Sequence, residues 1–314
     1  MLIIDGHTDA ILEVHHGRRD FFERSETGHV DLPRLQKAGV SAVALALFTT
    51  DEHVADATSH TRALLSTFDQ LVMAGQGLVH ARSASDIERS VAEGETAGFV
   101  TIEGGEAIGT RIETLHEFHE RGVILMTLTW NRRNPIARGV YGDGDDGLSA
   151  FGREVVREME SIGMIVDVSH LSDQALTDVL SVATRPVVAS HSNARAVCNH
   201  PRNLTDDQLR AIASTGGLIG LTFPGVFVDP TPANVTLDRV FDHLARMIDV
   251  AGVDSIGIGT DFDGFTAPYG LVMPDCTGLP MVAQRMASRG YSPDEIEKVM
   301  GRNWLRVIRD IVGE

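Results

Sequence analysis

His7 and Asp9 stand two residues apart, directly after the apolar run Leu2-Ile3-Ile4. On a strand the side-chain period is two, so this imidazole and carboxylate share a face and can offer nitrogen and oxygen to one divalent cation. Alone, the pair reads equally well as a surface turn. The sequence repeats the arrangement, however. Glu103 closes the run before Gly104-Gly105, His170 ends Asp167-Val-Ser-His170, and His191 ends Val188-Ala-Ser-His191. Asp261 and Asp263 lie in Gly259-Thr-Asp-Phe-Asp-Gly264, and Trp130 and Asn131 follow another apolar run. Polar groups converging on one end of a core are costly unless compensated, and a metal compensates them. The set is too large for one tetrahedral ion. It suits two ions, His7 and Asp9 on one, His170 and His191 on the other, with Glu103 bridging. Nitrogen and oxygen donors without thiolate favour zinc over manganese, cobalt or iron. Two close metals acidify a bridging water and polarise a carbonyl, which is the equipment of amide hydrolysis.

The elements that must carry these residues are eight short apolar runs: Leu2–Asp5, Ser41–Phe48, Gly98–Ile102, Val123–Thr129, Met164–Val168, Pro186–Ser190, Gly217–Thr222 and Ser255–Gly259. Near-continuous apolar runs are how strands of a parallel sheet read when both faces are buried. Amphipathic stretches separate them, including Ser149–Ile162, Ser172–Ala183, Thr205–Ser214, Leu237–Ala251 and Pro293–Val312. Several begin at good helix caps, namely Ser149, Ser172, Thr205 and Ser292. Eight β-then-α units predict a (β/α)8 barrel, with a doubly wound sheet as the alternative. No linker divides the chain, so residues 1–314 are expected to form one catalytic domain. In such a barrel, chemistry belongs to the C-terminal ends of the strands, where all the candidates fall.

Composition narrows the class. A net charge of −17 argues against nucleic acid, which requires a basic face. Cys198 and Cys276 fit no metal or redox spacing, so a reduced, cytoplasmic protein without a disulfide is expected. The opening residues carry no basic segment followed by a long apolar one, and no stretch approaches a membrane span, so neither a signal peptide nor a membrane anchor is expected. The patch Tyr141-Gly-Asp-Gly-Asp-Asp-Gly147 lacks the spacing of a calcium loop and reads as a mobile acidic loop over the barrel mouth.

In this order, Ile4-Asp-Gly-His-Thr-Asp9, Glu103-Gly-Gly105, Gly147-Leu-Ser-Ala-Phe-Gly152, Asp167-Val-Ser-His170, Ser190-His191, Arg202-Asn203 and Gly259-Thr-Asp-Phe-Asp-Gly264 resemble the membrane dipeptidase (renal dipeptidase) family of zinc metallopeptidases, over nearly the whole chain. The resemblance implies a binuclear zinc site, with His7, Asp9 and Glu103 on one ion and Glu103, His170 and His191 on the other. It implies that Arg202 grips the free carboxylate of a dipeptide, as a guanidinium fork does; read without it, Arg202 pairs at the surface with Asp206 or Asp207. Asp261 matches the aspartate that orients the bridging hydroxide and passes its proton to the leaving amine, while Asp263 shapes the turn. Relatives pair as homodimers, an expectation that rests on the resemblance alone.

One position departs from the family. Its studied members carry a histidine after Leu-Thr, held to stabilise the developing oxyanion, and here Leu128-Thr129 leads to Trp130. Either Trp130, Asn131 or a zinc supplies that stabilisation, or the substrate differs. Trp130 reads equally as a packing residue capping the barrel. Cleavage of dipeptides, L-L and by extension L-D, is the first expectation. Hydrolysis of another amide (an N-acyl amino acid, a cyclic amide or a β-lactam) is the second, and a non-catalytic metal-bound binding protein the third. His15, His16 and His200 read as loop residues. His53, His60, His80, His116, His119 and His243 read as surface residues on helices, and Cys198 as a small buried one.

Overall fold

A computed structural model describes residues 1–265 and 271–314. Nine strands form, β1 (Ile4–Asp5), β2 (Ala42–Phe48), β3 (Leu78–His80), β4 (Thr96–Glu103), β5 (Val123–Thr127), β6 (Ile165–Asp167), β7 (Val188–Ala189), β8 (Leu218–Leu221) and β9 (Ile256–Ile258). Every pairing between them is parallel. The sheet closes because β2 pairs with both β1 and β4 while β9 returns to β1, with Asp5 opposite Ile258. Eight strands therefore make a (β/α)8 barrel and correspond one to one with the eight apolar runs. The ninth, β3, lies outside the ring against the start of β4, Leu78 opposite Thr96. With only three residues it leaves too short a pattern to read.

The caps act as expected. Ser149 Oγ accepts the Gly152 N–H, Ser172 Oγ accepts that of Ala175, and Thr205 with Gln208 and Ser292 with Glu295 form complete capping boxes. The stretch expected as one helix to Val312 is instead Pro293–Glu297, a π turn over Lys298–Arg302, and Asn303–Ile311. Gly301 within the turn packs against the start of the chain: a Cβ there would lie 2.7 Å from the Leu2 carbonyl oxygen. Beyond it, Trp304 is fully buried in the barrel, its Nε1–H donating to the Ile258 carbonyl at 2.7 Å. The indole occupies the space that side chains at Gly6 and Gly257 would take, since their Cβ atoms would come within 2.0 and 2.8 Å of its ring. Arg306 ties the same helix to the Gly216, Gly217 and Asp254 carbonyls, ahead of β8 and β9. The C-terminal helix thus crosses the N-terminal end of the barrel and leaves the opposite end open.

Three histidines correct the surface reading. His80 is half-buried and ends β3 instead of lying on a helix. His60 is buried, and His243 is buried with Nε2 at 2.9 Å from the Val228 carbonyl and Nδ1 accepting the Ala194 N–H. Both lie on the inner faces of their helices, and the His243 ring is tolerated there because both its nitrogens are partnered. The acidic loop is also more tethered than its composition suggests: Arg133 holds the Asp143 carbonyl and the Asp146 carboxylate, and Arg138 holds the Asp146 carbonyl.

Candidate metal centre

The open end gathers the residues expected there. His7 and Asp9 follow β1, Glu103 ends β4, Trp130 and Asn131 follow β5, His170 follows β6, His191 follows β7, and Asp261 follows β9. His7 Nε2 lies 3.5 Å from Asp9 Oδ2, 3.7 Å from Glu103 Oε2 and 3.7 Å from Asp261 Oδ1. Glu103 Oε1 lies 2.9 Å from His170 Nε2 and 3.6 Å from His191 Nε2. Three overlapping donor sets result: His7, Asp9 and Glu103; Glu103, His170 and His191; and His7, His191 and Asp261. Glu103, His7 and His191 each belong to two of them, and Glu103 is the shared carboxylate, the group type that can bridge. The third brings Asp261 within reach of two histidines, a grouping that sequence order did not suggest.

Second contacts fix how the rings present themselves. His170 Nδ1–H donates to Asn131 Oδ1 at 2.8 Å, which leaves Nε2 bare. His191 Nδ1 meets Ser190 Oγ at 2.7 Å, and that hydroxyl donates to Asp167 Oδ2 at 2.6 Å, so the His191 Nε2 is bare as well. Asp167 also accepts from the Ser169 and Ser190 N–H groups and from Thr127 Oγ1. Asp5, buried before His7, does not reach the His7 ring; it accepts from the Thr260 N–H and hydroxyl and so ties the end of β1 to the segment after β9. Sequence reasoning passed over both aspartates. Their signal was a charge inside a run too apolar to solvate it.

Charge is unevenly settled in this cluster. Burial pushes the His170 imidazole down to about 4, helped by the Arg202 charge, and drives His191 well below the usual histidine range, with His7 adding to the effect. Burial raises Asp9 to about 6, reinforced by Glu103, and lifts Asp261 well above an ordinary carboxyl. Burial alone would lower His7, yet Glu103 and Asp9 beside it outweigh that and hold it protonated. Glu103 stays ionised in spite of burial because His7 and His170 favour its charge. Both ring nitrogens of His7 and both carboxylate oxygens of Asp9 are buried without a hydrogen-bond partner. Bare imidazole nitrogens, orphaned carboxylate oxygens and a shared glutamate form a donor set that fits divalent cations.

His170 and Asp261 both have positive φ, 69° and 62°, a cost that a binding site sustains. Asp263, at φ 68°, is the turn-shaping residue: its carboxylate is gripped by Arg19 at 2.6 Å and by the His29 and Val30 N–H groups. Arg202 is buried and, among the described residues, pairs with no carboxylate. One of its Nη atoms donates to the His191 carbonyl, its Nε has no partner, and its guanidinium lies 5.3 Å from the Phe227 ring. Asp206 and Asp207 pair instead with Arg246 and Arg210, so the surface ion-pair reading of Arg202 does not hold. Cys198 is buried with its thiol against the Val226 carbonyl, as expected. A cavity of about 200 Å³ opens over the cluster, bounded by Asp9, Glu103, His170 and Asp261 and by apolar side chains such as Phe48, Trp130 and Phe227.

The family model of the membrane dipeptidases (peptidase family M19) matches residues 1–312. The chain belongs to the membrane dipeptidase family. A dipeptidase (tcpJ) of Claviceps purpurea is 33% identical over 297 residues, 90% of this chain and 69% of that protein. A metallo peptidase from Rhodobacter sphaeroides, solved with a phosphinate mimic of the dipeptide L-Ala-D-Ala, superposes with a TM-score of 0.92 at 28% identity, covering 99% of both chains. A solved M19 metallo peptidase, dipeptidase AC, gives a TM-score of 0.92 at 29% identity over 100% of this chain and 99% of that one. This member of the family is therefore a hydrolytic enzyme of the metallopeptidase type. Among the described residues no helix is long and apolar enough to cross a bilayer.

Proposed function

We propose that this barrel, one catalytic domain over residues 1–314, hydrolyses dipeptides with two zinc ions per chain. His7, Asp9 and Glu103 would hold one ion, and Glu103, His170 and His191 the other. The observation that carries this reading is the donor cluster itself, in which Glu103 faces both groups and the His7 and Asp9 donors have no other partner. When bound, the pair of ions would supply an acidified water and a polarised carbonyl. The chain's own residues do the rest. Asp261, at the cavity wall 3.7 Å from His7 Nε2, takes the proton of the attacking water and delivers it to the leaving amine. Arg202 fixes the C-terminal carboxylate with a buried, uncommitted N–H. The Asn131 oxygen orients His170, leaving its amide N–H2 to the substrate side, where Trp130 is the neighbouring wall. A cavity this small suits a substrate well below drug size, for which pockets run to roughly 300–1,000 Å³. The reaction needs no nucleic-acid partner, and a cytoplasmic homodimer is the working form we propose.

A panel of L-L and L-D dipeptides, assayed with zinc-loaded and metal-stripped protein while zinc per chain is measured, tests this. Metal-dependent turnover with about two zincs per chain supports it; two bound zincs without cleavage of any dipeptide overturns it. One observation favours a second reading. Trp130, in the place of the family's histidine, lines the cavity as an apolar surface, which suits another amide such as an N-acyl amino acid. An N-acyl amino acid keeps the free carboxylate and lacks only the free α-amine, so comparing hydrolysis of a dipeptide with that of its N-acetylated form distinguishes them.

A further inference from the structure

Trp130 is held from two sides. Its indole meets Phe48 with ring centroids 5.2 Å apart and a 56° tilt, and the Arg132 guanidinium lies 5.1 Å over it. Arg132 is itself fixed. Its Nε–H donates to Glu106 Oε1 at 2.9 Å, an Nη donates to the Thr49 carbonyl at 2.6 Å, and it also pairs with Asp51. Glu106 is buried and accepts an Asn134 amide hydrogen as well. This network joins the segments after β2, β4 and β5 and presents a rigid apolar surface, Phe48 and Trp130, with Leu12 beside it on the cavity wall. Arg202 and Phe227 stand after β7 and β8. In the ring order of the barrel, β2 is opposite β7, so Phe48 at the end of β2 and Arg202, held on the His191 carbonyl just after β7, stand on opposite sides of the barrel mouth.

We infer that Phe48 and Trp130 form the subsite for the amino-terminal side chain of the dipeptide, selecting a large apolar one, and that Arg132 is the positioning residue that keeps this wall in place. The inference rests on the dipeptidase reading in one respect: with the carboxylate at Arg202, the residue at the far end of the substrate is the amino-terminal one. A rigid aromatic wall rewards each added methylene by desolvation, and a leucine-sized side chain gains roughly tenfold or more over glycine. Cation–π contact and the charge-assisted network hold the indole without occupying the cavity.

The test compares kcat/KM for Leu-Gly, Gly-Leu and Gly-Gly with zinc-loaded full-length protein. Leu-Gly is expected to exceed Gly-Gly by about tenfold or more, mainly through KM, with Gly-Leu gaining much less. Trp130→Ala should bring the Leu-Gly to Gly-Gly ratio close to one, and Arg132→Met should do the same at unchanged zinc content. An equal preference for Leu-Gly and Gly-Leu, or a ratio that Trp130→Ala leaves intact, overturns the wall. An Arg132→Met protein that keeps the ratio overturns the positioning role alone. Should wild-type protein cleave neither these three nor any other dipeptide of the L-L and L-D panel, the dipeptidase reading fails, and fluorescence titration still decides the subsite. Leu-Gly, and not Gly-Gly, should change the indole emission of wild-type protein, and Trp130→Phe should abolish the change. Identical responses to both dipeptides would reject it.

Discussion

The Nε2 atoms of His170 and His191 face each other across 2.8 Å, while the outer nitrogen of each ring is committed to an acceptor. Two bare lone pairs at this distance repel, and a shared cation turns the repulsion into ligation. That arrangement, and the scaffold that imposes it, have consequences that can be measured.

Glu103 faces both donor groups, so its loss disables both. Glu103→Gln keeps the volume and removes the charge. Zinc per chain should fall clearly below the wild-type value, and kcat/KM should drop by at least about a hundredfold. Elemental analysis alongside the dipeptide assay checks this; full zinc content in the variant would refute the bridging assignment.

The Asn131 oxygen is the partner of His170 Nδ1–H. Asn131→Ala leaves all five donors in place but frees the ring to rotate, and zinc affinity should weaken by about 10- to 100-fold. Competition with a fluorescent chelator measures it. An unchanged affinity would mean that packing alone orients the ring.

Protons compete with metal for these groups, and the sign can be worked out. His170 titrates near 4 in the fold against 6.5 when unfolded, so the unfolded chain binds more protons between those values and this group's contribution to stability is lost as pH falls through that window. Asp9, raised to about 6, is the opposite case: it favours the metal-free fold at low pH and opposes it once ionised. Zinc relieves the ionised carboxylates and needs neutral imidazoles. The gain in Tm on adding zinc should therefore be larger at about pH 7.5 than at about pH 5.5, as calorimetry at the two values would show. Equal gains would contradict the proposed ligands.

Trp304 fills the barrel from below. Trp304→Ala should cost about 3–5 kcal/mol in denaturant unfolding. Gly6→Ala, which drives a methyl group into the same ring, should cost at least about 1–3 kcal/mol. A neutral Gly6→Ala would show that the indole can move aside.

The barrel and most of its donor cluster are legible in the amino-acid order. Buried parallel strands announce themselves as unbroken apolar runs, and the proposed ligands His7, Asp9, Glu103, His170 and His191 lie at the ends of those runs, whereas position offers Asp261 and Asp263 together and the family resemblance chooses Asp261. The helix starts at Ser149, Ser172, Thr205 and Ser292 are visible because a cap is local chemistry. What stays hidden depends on distant partners. Arg132 gains its meaning only when Glu106, Thr49 and Trp130 meet around it. Asp167 orients His191 through Ser190, and Asp5 ties β1 to Thr260, both by hydrogen bonds across strands. His60 and His243 sit in helical patterns whose inner face the sequence does not mark, and the π turn before Trp304 packs against Leu2, at the other end of the chain.

The position of Trp304 also bears on the order in which the site can be assembled during synthesis. His7 and Asp9 are made well before the residues that hold them: the His7 carbonyl accepts the Asp261 N–H, and the Asp9 N–H donates to the Phe262 carbonyl. The strand joint beneath them is then locked by the Trp304 indole on Ile258. A nascent chain halted before residue 304 carries every proposed ligand yet lacks the plug that sets β1 against β9. Metal capture should therefore wait until Trp304 has been made and seated, with the early histidine and aspartate depending on the helix that carries it.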